Sequence, residues 1–203
     1  MLRLRELSGQ VMAVYDELSE QFGSYQREQG LSCIQGCGAC CNNPDIEVSV
    51  LEMLPYALHL FDIGQAETVL DTLDVATGFS CIMYQRASLD GKQGQCSVYQ
   101  WRPGICRMFG AAGYKTKTGT ATLSVCGVIK AQVPAKYANA LIAIGSTKPP
   151  MLADGRSRLA QLDYLLGEKL LPINEALAAA LGRVLTLAAY SVGDDTPTPV
   201  VAA

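Results

Sequence analysis

Four of the eight cysteines in this 203-residue chain lie within the nine-residue stretch CIQGCGACC, at residues 33–41. The other four follow between residues 81 and 126, and none occurs in the first 32 residues or after Cys126. Free cysteines that pack as small hydrophobes should be scattered along a chain. Their confinement therefore indicates one functional region, for which disulfides, inert buried thiols and metal ligands are the three competing explanations.

Metal ligation explains the pattern best. Disulfides suit small secreted domains, whereas charged residues interrupt the amino-terminal apolar positions that a secretory signal would need. The adjacent pair Cys40–Cys41 also makes an awkward disulfide framework. Inert packing accounts for one or two thiols, such as Cys81, but not for four in nine residues. Soft thiolates select zinc, iron–sulfur clusters or copper(I), so a site of this kind is predicted.

The composition predicts a soluble, cytoplasmic globular protein. Hydrophobic residues make up 49% of the chain and charged residues 17%, which excludes intrinsic disorder. No apolar stretch reaches the roughly 18 uncharged residues that a membrane helix needs. The formal net charge of −3 argues against nucleic-acid binding, which normally uses a basic face. We therefore expect a protein partner of unknown identity, and neither nucleic-acid nor membrane binding.

The amino-terminal half has helical patterns on both sides of the first cysteines. An apolar stripe from Leu4 to Tyr25 predicts a helix that ends before Gly30. The sequence SVLE at residues 49–52 is a capping box that starts a second helix, and Pro55 predicts that this helix kinks or restarts. A short helix is expected over residues 65–75.

The carboxyl-terminal half combines one β-hairpin with further helices. Residues 111–125 alternate around Thr118-Gly119, which predicts the hairpin. A stripe at Leu159, Leu162, Leu166 and Leu170 predicts a helix that ends before Pro172, and residues 173–189 predict another. The expected fold is mainly α, with irregular cysteine-rich loops and helices flanking a metal-binding core. We expect a single domain over 1–190 (helix 1–32, cysteine region 33–128, helices 129–190) and a flexible tail over 191–203.

The second cysteine group lies in CSVYQWRPGICRMF, at residues 96–109. Pro103 is suited to a first helical position, which places Cys106 in an opening turn where free N–H groups favour a thiolate. Four thiolates around Zn²⁺ or a [4Fe–4S]²⁺ core leave a charge of −2. We therefore expect Arg102 and Arg107 to compensate that charge around the cofactor. Trp101 and Phe109 are expected to keep water away.

The two stretches resemble a bacterial cysteine-cluster family, called CxxCxxCC or YkgJ-type and described as a zinc- or iron-chelating domain. The matching patterns are Cys-x3-Cys-x2-Cys-Cys at 33–41 and Cys-x-Val-Tyr-x2-Arg-Pro-x2-Cys-Arg-x-Phe at 96–109. The first gap has three residues where the family has two. Some relatives resemble flagellin lysine methylases, although no other feature of this chain indicates methyl transfer. The residues that we expect to ligate metal are Cys33, Cys37, Cys40, Cys41, Cys81, Cys96, Cys106 and Cys126.

An iron–sulfur cluster, of the [4Fe–4S] type, is favoured over zinc as the cofactor. Structural zinc sites commonly use two short Cys-x2-Cys knuckles. Here only Cys37 and Cys40 form one, and nine residues separate Cys96 from Cys106. The sulfur-only donor set also suits a cluster. Whether the thiols form one site or two remains open.

Three functions follow as hypotheses. The first is an iron–sulfur protein in electron transfer, redox sensing or cluster-assisted modification of a protein. The second is a zinc-stabilised interaction module, and the third is an enzyme related to protein-lysine methylases. The triad at residues 33, 37 and 40 also matches radical S-adenosylmethionine enzymes, but the chain lacks the strand–helix alternation of their barrel. The single histidine, His59, is expected to pack or to lie on the surface.

Overall fold

A computed structural model describes residues 1–192, and it is mainly helical. The long helices α1 and α10 and the buried helix α2 form its framework. Within residues 1–192 the helices are α1 (Leu2–Glu28), α2 (Val50–Asp62), α3 (Ala66–Val75), α4 (Gly104–Met108), α5 (Gly127–Gln132), α6 (Pro134–Ile142), α7 (Ile144–Thr147), α8 (Leu152–Ala160), α9 (Tyr164–Gly167) and α10 (Ile173–Val192), with a 3-10 turn at Tyr99–Trp101. None of these helices is both long and apolar enough to cross a bilayer.

Within the described residues, three small antiparallel sheets lie between the helices. The predicted hairpin is confirmed as β4 (Ala111–Lys115) and β5 (Ala121–Val125). Two further pairs were not predicted: β2 (Tyr84–Arg86) with β3 (Gly94–Cys96), and β1 (Glu47–Ser49) with β6 (Leu170–Pro172). Each strand of these two pairs has only three residues, too few for alternation to be visible in the sequence.

Two apolar clusters hold the fold together. The larger joins α1, α2 and α10 with α4 and α8, and it buries Leu18, Leu51 and Leu177 completely. The smaller packs the end of α1 and the following Leu31 against the β4–β5 hairpin, α5 and α6. The cysteine-rich segments are therefore held between two hydrophobic clusters, and α1 contributes to both.

The first helix and the capping box are confirmed. The side chain of Ser49 accepts a hydrogen bond from the backbone N–H of Glu52, and the carboxylate of Glu52 accepts one from the backbone N–H of Ser49 at 2.9 Å. The predicted restart at Pro55 is wrong, because α2 continues through it to Asp62. Proline removes a backbone donor. Since α2 is buried on nearly all sides, tertiary packing compensates for that loss.

The predicted helix over residues 159–170 is interrupted. Helix α8 ends at Ala160, and the Asp163 side chain then caps the separate helix α9 by accepting from the Leu166 backbone at 3.1 Å. Leu170 lies in β6 and not in a helix. The leucine spacing therefore reflects apolar contacts made by separate elements, and it does not indicate one continuous helix. The helix predicted over 173–189 is confirmed as α10. Of the tail predicted over 191–203, residues 191–192 still belong to α10, and residues 193–203 lie outside the described residues.

Candidate metal centre

Seven of the eight cysteines line one cavity of about 590 Å³. They come from three separate parts of the chain, so the tertiary fold brings them together. The loop after α1 provides four, the segment before β2 provides one, and β3 with α4 provides two. These seven residues are Cys33, Cys37, Cys40, Cys41, Cys81, Cys96 and Cys106.

Cys126 is not among the residues that line this cavity. It precedes α5, and its backbone N–H donates to the carbonyl of Gly110 at 2.8 Å. The charge on Cys126 is one of the smaller causes that raise the pKa of Cys33; burial of Cys33 is the largest. The structure thus brings seven predicted ligands together and leaves the eighth next to them.

All eight cysteines are free thiols. The sulfur atoms of Cys40 and Cys41 lie 4.0 Å apart, too far for a disulfide. Among the described residues, no three His, Cys, Asp or Glu side chains are arranged to hold a single ion. The thiols therefore surround an open space instead of meeting at one point.

The first cysteine loop is held against the turn between β2 and β3. The backbone N–H of Gly38 donates to Lys92 at 2.9 Å, and that of Gly94 donates to Gly36 at 3.0 Å. The ring of Tyr84 fills the space next to Gly38 and Gly94, and a Cβ atom at either glycine would overlap it. Glycine at these two positions therefore allows the two segments to pack closely against each other.

The Cys81 segment is fixed by backbone hydrogen bonds and by α10. The N–H of Cys81 donates to the carbonyl of Cys41 at 3.0 Å, which joins two ligand loops directly. The Asn174 side chain accepts from Ile82 and donates to Ser80, both at 3.0 Å. Sequence reasoning missed Asn174, because it lies more than 90 residues from its partners and in no recognisable motif.

Helix α4 places Cys106 in its first turn, as predicted, with Pro103 one position earlier than expected, at the N-cap. The backbone N–H of Cys106 donates to the carbonyl of Pro103 at 3.0 Å. Gln26, buried on α1, donates to the carbonyl of Phe109 at 3.1 Å. The short helix is therefore tied to α1 at its carboxyl end, where Phe109 lines the cavity.

Arg102 lines the cavity, and Arg107 does not. The Arg102 guanidinium carbon lies 3.4 Å from the centroid of the Tyr99 ring. The guanidinium of Arg107 instead donates to the carbonyls of Arg102 and Gln100, at 2.8 and 2.5 Å, and to the Ser19 hydroxyl at 2.9 Å. In the structure Arg102 supplies positive charge to the thiols, whereas Arg107 ties their supporting segment to α1.

Of the two aromatic residues expected to keep water away from the site, one lines the cavity and the other does not. Phe109 lines the cavity, as expected of a residue that limits access of water. Trp101 is not among the lining residues and stacks on His59, with ring centroids 4.7 Å apart. The prediction that His59 has a packing role is confirmed.

Burial dominates the ionisation of most cavity thiols. It raises the pKa of Cys106 strongly and that of Cys81 to about 11, and it also raises those of Cys33 and Cys96. Cys40 and Cys41 are exceptions, because the hydrogen bond between them is the largest cause of the shift in each. It lowers the pKa of Cys40 to about 6, aided by the positive charge of Arg102, and it raises the pKa of Cys41. Burial penalises several thiolates in one cavity, so a cation is needed to hold them ionised.

This arrangement is a cavity lined by cysteine thiols from three parts of the chain. Residues 32–127 match the model of the CxxCxxCC family, whose description is "putative zinc- or iron-chelating domain". The matched segment is similar to that family, and it contains all eight cysteines and both arginines discussed above. The resemblance to the CxxCxxCC family found in the sequence is thereby confirmed. Neither the curated proteins nor the solved structures include a match to the chain.

Proposed function

We propose that the cavity binds an iron–sulfur cluster, and that the protein acts in electron transfer or in cluster-assisted modification of a partner protein. The observation that supports this most is the cavity of about 590 Å³ with seven thiols around it. That volume is many times the roughly 30 Å³ that one water molecule occupies in the liquid. A polynuclear group suits such a space better than one ion does.

The chemistry of the lining residues supports the same proposal. Cysteine provides seven of the lining residues and is the usual ligand of iron–sulfur clusters, whose donor sets are typically thiolate sulfur. Four thiolates would hold the cluster, which supplies one-electron redox chemistry when bound. Arg102 would offset the negative charge, and Ile105, Met83 and Phe109 would restrict water at the cavity wall.

One observation favours zinc as the second candidate. Tetrahedral Zn–S bonds of about 2.3 Å place two sulfur ligands about 3.8 Å apart. The sulfurs of Cys40 and Cys41, at 4.0 Å, are close to this spacing. In that case the metal would join the cysteine loops, and the domain would serve as an interaction module.

Metal analysis after purification without oxygen separates the two candidates. We expect a brown protein with broad visible absorption, and iron and acid-labile sulfide in equal amounts. Zinc has a filled d shell, so a zinc protein would be colourless. Stoichiometric zinc without sulfide would overturn the iron–sulfur proposal.

A matched pair of variants tests the cavity as the binding site. Cys106→Ser removes a thiol that lines the cavity and should abolish stoichiometric metal binding and lower the melting temperature. Cys126→Ser removes the one cysteine thiol that does not line the cavity and should retain the metal. Equal metal loss in both variants would show that the ligand set is not confined to the cavity.

A further inference from the structure

Charge is distributed very unevenly along the chain. Residues 91–153 contain eight of the 16 basic residues and none of the 19 acidic ones. The rest of the chain carries eight basic and 19 acidic residues, a formal charge of −11. The basic residues of the acid-free stretch are Lys92, Arg102, Arg107, Lys115, Lys117, Lys130, Lys136 and Lys148. The formal net charge of −3 is therefore the sum of a basic segment and a strongly acidic remainder of the chain.

Five of these lysines belong to one structural unit, which we call the basic lobe: residues 111–150, comprising the β4–β5 hairpin and helices α5, α6 and α7. All are exposed except Lys130, which is half-buried and has its ammonium 4.9 Å from the centroid of the Tyr137 ring. None of the five forms a salt bridge with an acidic residue of the described chain. Their positive charge is thus available to a partner.

The basic lobe adjoins the cysteine cavity. Phe109 lines the cavity, and the next residue but one begins β4. At the other end of the hairpin, Cys126 bonds to the backbone of Gly110. Leu31, two residues before Cys33, is completely buried in the apolar cluster of the lobe. A partner that contacts the lobe would consequently lie next to the metal centre.

We propose that the basic lobe docks an acidic surface of a partner protein beside the cysteine cavity. Complementary charge steers such encounters and makes them sensitive to salt, which suits transient complexes. Tyr114 and Ile142 are 42% and 85% exposed on the same lobe and offer apolar contact. Only the redox role of this partner rests on the proposed function; the docking does not.

A protein partner fits the charge pattern better than a nucleic acid. The lobe carries five lysines and no acidic residue, and the chain outside residues 91–153 is strongly negative. A long polyanion that extends beyond the lobe would be repelled, whereas a compact acidic patch would not. The lobe also contains no arginine, the residue that most often reads bases.

Fluorescence anisotropy with a labelled poly-glutamate peptide tests the docking on the full, metal-loaded chain. We expect binding at low salt that weakens as salt is added. The double variant Lys115→Glu/Lys117→Glu reverses two exposed charges at the tip of the hairpin, and it should weaken binding about tenfold. The control, Lys169→Glu/Arg183→Glu, makes the same change of charge at exposed positions outside the lobe, and binding should be retained.

Three results would overturn the docking proposal: no binding, equal weakening in both double variants, or tighter binding of a single-stranded oligonucleotide of equal charge. Circular dichroism establishes that each variant is folded, and Lys117→Glu alone serves as a milder second variant.

Metal analysis of the same samples keeps the two proposals separate. Loss of docking with iron and sulfide present contradicts only the docking, whereas lobe-specific binding by a zinc-loaded protein contradicts only the cluster.

Discussion

The guanidinium of Arg102 lies over the ring of Tyr99, with 3.4 Å between its central carbon and the ring centroid, at the wall of the cysteine cavity. Its Nε also donates to the Tyr99 carbonyl at 3.2 Å. Both contacts depend on the planar shape of the group, which lysine lacks. The ring and the carbonyl therefore hold a positive charge where the thiolates need it.

Replacing Arg102 should weaken metal binding. Arg102→Gln removes the charge, and we expect the affinity for the metal to fall about tenfold, as is common for residues that support a metal site. Arg102→Lys keeps the charge without the planar stacking and should give an intermediate loss. The measurement is metal retention against increasing chelator. Retention by Arg102→Gln equal to that of the unmodified chain would contradict the role of Arg102.

The thiol of Cys40 should be the most reactive in the metal-free protein. Its pKa is lowered to about 6, so the thiolate predominates at neutral pH, and its alkylation should decline as the pH falls through that value. The pKa of Cys81 is raised to about 11, so Cys81 should react only in alkali. Peptide-resolved mass spectrometry after brief iodoacetamide treatment measures both residues.

The lowered pKa of Cys40 also makes the stability of the metal-free protein depend on pH. Because folding lowers the pKa of Cys40 below the ordinary value of about 8.5, the metal-free protein gains stability from this thiolate at high pH. That contribution should disappear as the pH falls through about 6. Cys41→Ala removes the hydrogen bond and should move the alkylation profile of Cys40 to higher pH. An unmoved profile would show that Cys41 is not the cause.

Arg107→Gln should destabilise the fold. The variant loses the charged hydrogen bonds to Ser19 and to two backbone carbonyls, which would lower the free energy of unfolding by about 2 kcal/mol. The control is Arg86→Gln, because Arg86 is exposed and its contact with Asn42 is long, at 3.5 Å. Urea denaturation of both variants tests the difference, and equal stability would contradict the proposed tie to α1.

Gly38→Ala should disturb the first cysteine loop. The added methyl group would overlap the Tyr84 ring, which would cost about 1–3 kcal/mol and reduce metal binding. Gly9→Ala is the matched control, because Gly9 lies in α1 with nothing within 4 Å of an added Cβ. In a helix interior alanine is more stable than glycine by roughly 0.5–1 kcal/mol. Thermal unfolding should therefore move in opposite directions, and equal shifts would contradict the packing argument.

Local patterns predicted the elements whose causes are local. Ser49 and Glu52 form a reciprocal cap within four residues, and the turn at Thr118-Gly119 joins two strands that are adjacent in the chain. The strands β1 and β6 pair across more than 120 residues, and no local signal marks such a partner. Pro55 misled the prediction for the same reason, because packing around α2 outweighs the local preference of proline.

In the candidate site, too, some features were predictable from local sequence and others depend on long-range packing. The cysteine spacing predicted a metal-ligand region, and the family match over residues 32–127 covers the same cysteines. The spacing did not show that Cys126, unlike the other seven cysteines, does not line the cavity. It also did not show that Arg102 lines the cavity and Arg107 does not. The supporting contacts of Asn174 and Gln26 were invisible, since a lone amide side chain gives no pattern in a sequence.

The sequence by itself determined the chemistry, because thiolate ligation is a property of cysteine and its local spacing wherever the chain goes. It also determined the separation of charge that defines the basic lobe. Only the tertiary structure decided which thiols share one cavity, because segments far apart in the chain meet through the packing of α1, α2 and α10. It likewise decided which arginine faces that cavity, because side-chain direction depends on neighbours that the linear order does not reveal.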